Sequence, residues 1–523
     1  MERFDLIIIG AGPAGLSAAI ESAKTGMKVA VFDENSKPGG QLFKQIHKFF
    51  GSKEHHAKVR GINIGKELLE EAKQAGAAIF LNATVIGIFP NKKISVKMID
   101  HIQTYQAGSI IVATGASERM IPFPGWTLPG VMGAGAAQTL MNLYGIVPGK
   151  RVLMVGCGNV GLVVSYQLEQ AGCTVVALID GAPKIGGYGV HASKVARTGV
   201  PFYLSHVIKK AEGNKHVERV TIAEVDSHWQ MIDGTEKMFD VDFICIAVGL
   251  SPMNKLVRMT GAEMADGAGG LIPMTDDTGA TSVKGVFVAG DVGGIEEASS
   301  AMIKGRISAI AAAYYTGYID KETYSEDKEK QFALLSALRQ GMFAIQNRGK
   351  KQIDTEEGLP LSQNLLHKGY VLFDEIKKYP GIIHKDSIHP VIECTQNIPC
   401  NPCQDACKFG CIRIGDYMTN LPQVDSEADC KDCGMCVASC PGQAIFLIDE
   451  SDAESAKITL PYEFYPLPEV GEKGNALDRS GKIICEAVVD SIKTMPVYDK
   501  TVLLTMKVSQ KYVDEARFFS KLD

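Results

Sequence analysis

The pattern of apolar and polar positions changes character along the chain. Up to about residue 317, short apolar runs alternate with stretches of helical periodicity. That alternation predicts an α/β fold. Residues 6–9 and 29–32 read as buried strands, as do 110–116, 151–155 and 286–289. From residue 321 to about 390 the runs give way to a stripe. Phe332, Leu335, Leu338, Met342 and Ile345 recur at helical spacing with charges between them. This predicts a helix packed on the core. With residues 44–56, it is also where a partner would be expected to dock. Beyond a cysteine-rich segment, residues 502–508 alternate apolar and polar, predicting a half-buried strand in a small β-rich tail.

Two of the strands run into the same glycine pattern. Residues 6–9 lead into Gly10-Ala-Gly12-Pro13-Ala14-Gly15, then a helix to about Thr25 and a strand ending at Asp33-Glu34. Gly10 permits the tight turn, Gly12 lets backbone approach a pyrophosphate, and Gly15 lets helix and strand pack closely. The helix start offers free N–H groups and the positive end of its dipole. Asp33 lies where a carboxylate can accept ribose hydroxyls, so these parts in register predict a dinucleotide site.

Residues 151–155 lead likewise into Gly156-Cys157-Gly158-Asn159-Val160-Gly161 and a helix to about Ala171. Here the acid is out of step. Asp33 lies seven residues after Gly26, but Asp180 lies eight after Gly172. A one-residue slip along a strand reverses a side chain's facing, unless the strand has already ended. Three readings follow: NAD(H), an adenine nucleotide held structurally, or an empty relic. For a nicotinamide nucleotide, Asp180 favours NAD, because a carboxylate repels a 2′-phosphate. Lys184 nearby keeps that choice open.

Eight of the 13 cysteines lie between Cys400 and Cys440. The second half reads Cys430-x2-Cys433-x2-Cys436-x3-Cys440-Pro441, the spacing of bacterial ferredoxins, in which the fourth cysteine serves the other cube. The first half, Cys400-x2-Cys403-x3-Cys407-x3-Cys411, has one extra residue and Ile412 in place of the usual proline. The expected sets are Cys400, Cys403, Cys407 and Cys440 for one [4Fe–4S] cluster, and Cys411, Cys430, Cys433 and Cys436 for the other. Zinc knuckles are the bland alternative, poorly suited to such a run. Cys394 and Cys485 read as spare thiols, although Cys394 could substitute for a ligand. Before residue 390 only Cys157, Cys173 and Cys245 occur, so no redox Cys-x-x-Cys pair is available for disulfide-reductase chemistry.

Composition adds exclusions. A net charge of −6 gives no reason to expect nucleic acid or an anionic membrane as partner. No apolar run reaches the length of a membrane span, and residues 6–9 are too short for a signal peptide. A cytoplasmic location is expected, with the cysteines serving metal rather than disulfides. His47, His55 and His56 read as a solvated or partner-facing loop; the alternative is a histidine acting on substrate.

Residues 110–116, with Ala113-Thr114-Gly115, and 286–291, ending in Gly290-Asp291, resemble the "ATG" and "GD" motifs of glutathione reductase-like, two-dinucleotide-domain flavoproteins. Pro38-Gly-Gly40-Gln41 matches a turn that runs along the cofactor in that family. The resemblance covers about 1–316. It implies FAD held by Gly10, Gly12, Pro13, Ala14, Gly15, Asp33, Glu34, Gly40, Gln41, Ala113, Thr114, Gly115, Gly290 and Asp291, the last on the ribityl chain. The implied domains are the FAD fold (1–117 and 251–317), a nucleotide fold (118–250) with Gly156, Gly158, Asn159, Val160, Gly161 and Asp180, a helical linker (318–390), an α+β ferredoxin-like module (391–450) and the tail (451–523).

With Pro122-Phe-Pro-Gly-Trp-Thr-Leu-Pro-Gly130 and Ile185-Gly-Gly-Tyr-Gly-Val-His191, the chain further resembles components of multi-subunit amino-acid and amine dehydrogenases. These are opine oxidase A, hydrogen cyanide synthase B, dye-linked proline dehydrogenase α and part of sarcosine oxidase α. The resemblance implies an electron-relay subunit beside a separate flavin-containing subunit that oxidises proline, hydroxyproline, sarcosine, glycine or an opine. It also implies a carrier such as ferredoxin or NAD, with a small iron–sulfur protein in the complex and, by family analogy alone, FMN at an interface between subunits. The two-cube module departs from those relatives and suggests low-potential carriers and an anaerobic setting. The alternatives are a self-sufficient NAD(P)H:ferredoxin-type reductase and a non-catalytic wiring scaffold. No residue is assigned to substrate catalysis.

Overall fold

The structure is a computed structural model that describes residues 1–341 and 361–522. Two strand–helix–strand repeats organise it. The first is β1 (Glu2–Ile9), α1 (Pro13–Lys24) and β2 (Val29–Phe32); the second is β3 (Arg151–Val155), α2 (Asn159–Gln170) and β4 (Thr174–Asp180). They fall in two compact units. One comprises Met1–Phe49, Glu54–Arg119 and Gly249–Arg339; the other comprises Phe50–Lys53, Met120–Val248 and Gln340–Asp523.

In the first unit β1 lies inside a seven-stranded sheet, parallel to β2 and to Ile102–Val112. A strand buried on both faces needs no alternation, which is why residues 6–9 read as a continuous apolar run. Val286–Val288 joins the same sheet, returning the chain to this unit. Helix α1 packs on α3 (Ala298–Thr316) so closely that a Cβ on Gly305 would lie 2.1 Å from the Ala14 carbonyl oxygen.

Helix α4 (Lys321–Leu338) lays Phe332, Leu335 and Leu338 against Ile303 and Ile307 of α3. The stripe is therefore core packing rather than a bare docking face; Met342 and Ile345 lie outside the described residues. Glu296, with its side chain 1% exposed, joins Arg339 at the end of α4, 2.6 Å away, to Lys304 of α3, 3.3 Å away. Residues 44–56 are not a solvated loop either. Lys48, Phe49 and His55 are buried, and His55 Nε2 lies 3.1 Å from the Leu334 carbonyl oxygen. Burial pushes the His55 pKa down.

In the second unit a five-stranded parallel sheet runs Phe202–Leu204, β4, β3, Phe243–Ile246, Val131–Gly133. A separate seven-stranded antiparallel sheet runs His389–Ile392, Ile445–Asp449, Ser455–Tyr462, Val502–Ser509, Ile483–Lys493, Lys473–Leu477, Phe518–Lys521. The cysteine segment is the excursion between its first two strands, so that segment and the tail share one sheet. Val502–Ser509 sits in the middle, and its first five residues are all buried. The expected half-buried alternation appears only at its end. Thr505 is accommodated because its hydroxyl meets that of Thr459 across the ladder at 2.8 Å. Among the described residues no helix is long and apolar enough to cross a membrane.

Glu393 continues the first strand of that sheet and holds it to the tail. Arg479 grips its carboxylate at 2.7 and 3.1 Å, and Arg517 donates from the other side. Burial alone would raise the Glu393 pKa; the two guanidiniums outweigh it and hold it down to about 2. A depressed acid contributes stability in full above its ordinary value near 4.5 and loses it as pH falls toward 2. Glu393→Gln, which strands two buried guanidiniums, should cost about 3–5 kcal/mol in denaturant titrations at pH 7. That deficit should shrink progressively below pH 4.5.

Candidate functional site

Each repeat closes on itself through its acid. The Asp33 carboxylate accepts the Ala11 N–H at 2.6 Å and the Asn35 N–H at 2.8 Å. Asp180 does the same with Cys157 N–H at 2.7 Å and Ala182 N–H at 2.9 Å. The extra residue before Asp180 does not turn it away. Register shifts between Val175 and Ala177, so a bulge at Val176 absorbs the slip. Ile179 then pairs with Val155 as Phe32 pairs with Ile9, and each acid follows that pair.

The glycines behave identically in the two repeats. Gly10 and Gly156 take φ of 107° and 108°, and a Cβ on them would sit 2.4 Å from the Ala113 oxygen and 2.3 Å from the Ala247 oxygen. A Cβ on Gly15 or Gly161 would overlap the first glycine's oxygen. The middle glycines differ in kind. A Cβ on Gly12 would meet nothing nearer than Gly40 Cα at 3.9 Å, and one on Gly158 would meet nothing within 4 Å. Neither helix start carries a side-chain cap. An uncapped helix start beside a glycine with open space at its Cβ position makes a cradle that suits a pyrophosphate.

Around the first cradle the structure gathers the remaining FAD candidates. The Gly39 N–H bonds the Ala11 carbonyl at 2.7 Å and brings Gly40 onto Gly12. Gly290 lies against Ala14, and Thr114 donates to the Met253 carbonyl at 2.8 Å. Glu34 and Gln41 are exposed at its rim. Burial pushes the Asp291 carboxyl up to about 6, although it accepts the Glu296 N–H at 3.2 Å.

A return turn closes the second cradle in the same way. Gly187 N–H bonds the Cys157 carbonyl at 3.0 Å, and Tyr188 N–H bonds Asn159 Oδ1 at 2.8 Å, while Val160 is exposed. Sequence reasoning missed this return turn as part of the repeat, yet its signal is in the chain. Gly39-Gly40 follows Asp33 at the same spacing as Gly186-Gly187 follows Asp180, and Ala113-x-Gly115 is echoed by Ala247-x-Gly249.

The cysteines form two neighbourhoods. Cys394, Cys400, Cys403 and Cys440 line one apolar cavity, with Ile398 and Ile445 among its walls. Cys407 lies instead with Cys411, Cys430 and Cys436, and is hydrogen-bonded to Cys411. Burial raises the Cys394 and Cys411 thiols each to about 12. Among the described residues no three His, Cys, Asp or Glu side chains converge closely enough for a single metal ion. A cube spreads its thiolates over four irons, so the arrangement is compatible with it.

Within the second unit this segment is docked on the nucleotide fold. Tyr166 of α2 donates to Gln443 at 2.7 Å, Arg197 to the Gln443 carbonyl at 2.9 Å, and Gly189 N–H to Gln396 at 2.6 Å. Phe50 stacks edge-on against Tyr188 and His191.

The opine oxidase A protein of Agrobacterium tumefaciens is 30% identical over 360 residues, 63% of this chain and 69% of that one. The hydrogen cyanide synthase component HcnB of Pseudomonas aeruginosa is 26% identical over 370 residues, covering 66% and 80% respectively. The alpha subunit of sarcosine oxidase from Rhizobium meliloti is 26% identical over 304 residues, 55% of this chain and 28% of that one. The thioredoxin reductase of T. acidophilum shares the fold, with TM-score 0.50 and 23% identity over 61% of this chain and 100% of that one. Its namesake chemistry does not transfer by fold, since no cysteine pair precedes residue 390 here. The family model described as pyridine nucleotide-disulphide oxidoreductase matches residues 4–317 and stops short of the cysteine segment. The chain belongs to that family over those residues, and it is an oxidoreductase built on the flavoprotein fold.

Proposed function

We propose that this chain is the electron-transfer subunit of a multi-subunit amino-acid or amine dehydrogenase, holding FAD in the first cradle and two [4Fe–4S] clusters in the cysteine segment. The observation that carries this reading is the docking of the cysteines on the second nucleotide fold inside one unit, through Tyr166–Gln443 and Gly189–Gln396. A flavin accepts two electrons as hydride and releases them singly, and cubes take one at a time. The protein's part is to hold these groups dry and oriented. The printed names of the relatives, components of opine and sarcosine oxidases and of hydrogen cyanide synthase, support the C–N donor class and a separate substrate-oxidising subunit.

A second reading, a self-sufficient NAD(P)H:ferredoxin-type reductase, is favoured by one feature. Asp180 repeats the Asp33 geometry, which suits a working ribose site selective for NAD. NADH reducing a dye through the isolated chain, with NADPH ineffective, would support a working second site and separate both readings from a non-catalytic scaffold.

Three measurements test the proposal. Anaerobically isolated chain should hold about eight irons and eight acid-labile sulfides. Stoichiometric zinc without iron would refute the clusters. Gly12→Val, which fills the space kept open beside the helix start, should abolish FAD binding without unfolding the chain. A full flavin load in that variant would refute the first site. Finally, proline, hydroxyproline, sarcosine or glycine supplied anaerobically should bleach the flavin only in a co-expressed complex. Rapid stoichiometric bleaching of the isolated chain would place the substrate site here and overturn the relay assignment.

A further inference from the structure

Spacing alone assigns Cys400, Cys403, Cys407 and Cys440 to the first cube. We propose a different set: the first cube is ligated by Cys394, Cys400, Cys403 and Cys440, and Cys407 is not one of its ligands. This deepens the two-cube reading and rests on it.

The cavity is the first observation. Its walls carry four thiols, those of Cys394, Cys400, Cys403 and Cys440, and Cys407 is not among them. The rest of the lining includes Ile398 and Ile445, which keep the space apolar. Four thiols around one apolar cavity is the donor set a cube requires.

Sheet register is the second observation, and it is independent of the cavity. Ile392 pairs with Ile445, and the Glu393 N–H bonds the Ala444 carbonyl at 2.8 Å. Cys394 follows directly, so the ladder delivers it beside the turn that begins at Cys440. That turn aims the Ala444 N–H at the Cys440 sulfur, 3.4 Å away, a donor suited to a thiolate. Glu393, clamped by Arg479 and Arg517, fixes the backbone one residue away.

The third observation is where Cys407 goes. The extra residue after Cys403 completes a helical turn, Pro402–Ala406, with the Cys407 N–H on the Cys403 carbonyl at 3.2 Å. Cys407 caps that turn in extended conformation and meets Cys411, Cys430 and Cys436. The inserted residue thus moves the third cysteine of the first run out of the first neighbourhood, and Cys394 fills the place. Five sulfurs then surround the second cube. Cys430, Cys433 and Cys436 supply three of its ligands, and Cys407 and Cys411 lie side by side at the fourth position. Each ligating cysteine gives up its proton to solvent as the iron–sulfur bond forms; nothing is oxidised or reduced.

The test compares full-length wild type, C394S, C400S and C407S, all isolated anaerobically and assayed for iron, sulfide and the electron paramagnetic resonance of the dithionite-reduced protein. Wild type should hold about eight irons. C394S should match C400S, with about four irons and one cluster signal lost, while FAD content stays at the wild-type level. C407S should keep about eight irons and both signals, because the first cube does not use Cys407 and Cys411, Cys430, Cys433 and Cys436 remain for the second. Retention cannot be mimicked by misfolding, which makes C407S the decisive arm. Loss in C407S of the same cluster signal that C400S loses, or a full complement of iron in C394S, would overturn the proposal. Wild type that binds zinc or no iron would instead refute the two-cube reading itself.

Discussion

A carboxylate closed on the N–H of its own glycine turn is the constraint on which both nucleotide folds depend. Asp33 and Asp180 each bind the residue after the first glycine, and the turn so held exposes the helix start. The cost is steric. Backbone passes within contact distance of backbone at Gly10–Ala113 and Gly156–Ala247, and no side chain could be tolerated there. What this yields is a pair of N–H-lined cradles with one glycine each, Gly12 and Gly158, facing open space. Backbone donors held in place need no reorganisation to meet a phosphate.

The two cradles are nonetheless not equivalent. Gly39-Gly40 turns back over the first and leads into a short, partly exposed helix. Gly186-Gly187 turns back over the second and leads through Tyr188 and Val190 to the wall of the cysteine cavity. The same loop that closes the second nucleotide fold therefore also borders the thiols. The cysteine excursion gains its rigidity elsewhere, from the strands on either side of it and from the buried Glu393–Arg479–Arg517 cluster. Removing charged groups from water is costly, and such a cluster is tolerated because every partner is hydrogen-bonded.

Side-chain spacing reports local geometry well and long-range pairing poorly. The stripe from Phe332 to Leu338 is legible as a helix, and its packing on Ile303 and Ile307 follows from the core those residues need. The burial of His55 was not legible, because its partner is a backbone carbonyl 279 residues away. Val502–Ser509 looked half-buried for a similar reason. Alternation encodes one wet face, but strands packed on both sides hide Thr505 against Thr459, a pairing only the folded sheet creates.

The sequence by itself determined the two glycine-and-acid repeats, the apolar strands that feed them, the lack of a redox pair before residue 390 and the cysteine richness of residues 394–440. Each is a short-range property: a turn, a helix start or a donor spacing is set by residues a few positions apart. Only the tertiary structure decided that a bulge at Val176 restores the facing of Asp180. It alone joined the cysteine segment and the tail through one sheet and gathered Cys394 with Cys440. Those outcomes depend on register between strands far apart in the chain. Register is chosen by the packing of whole faces, so no local spacing records it.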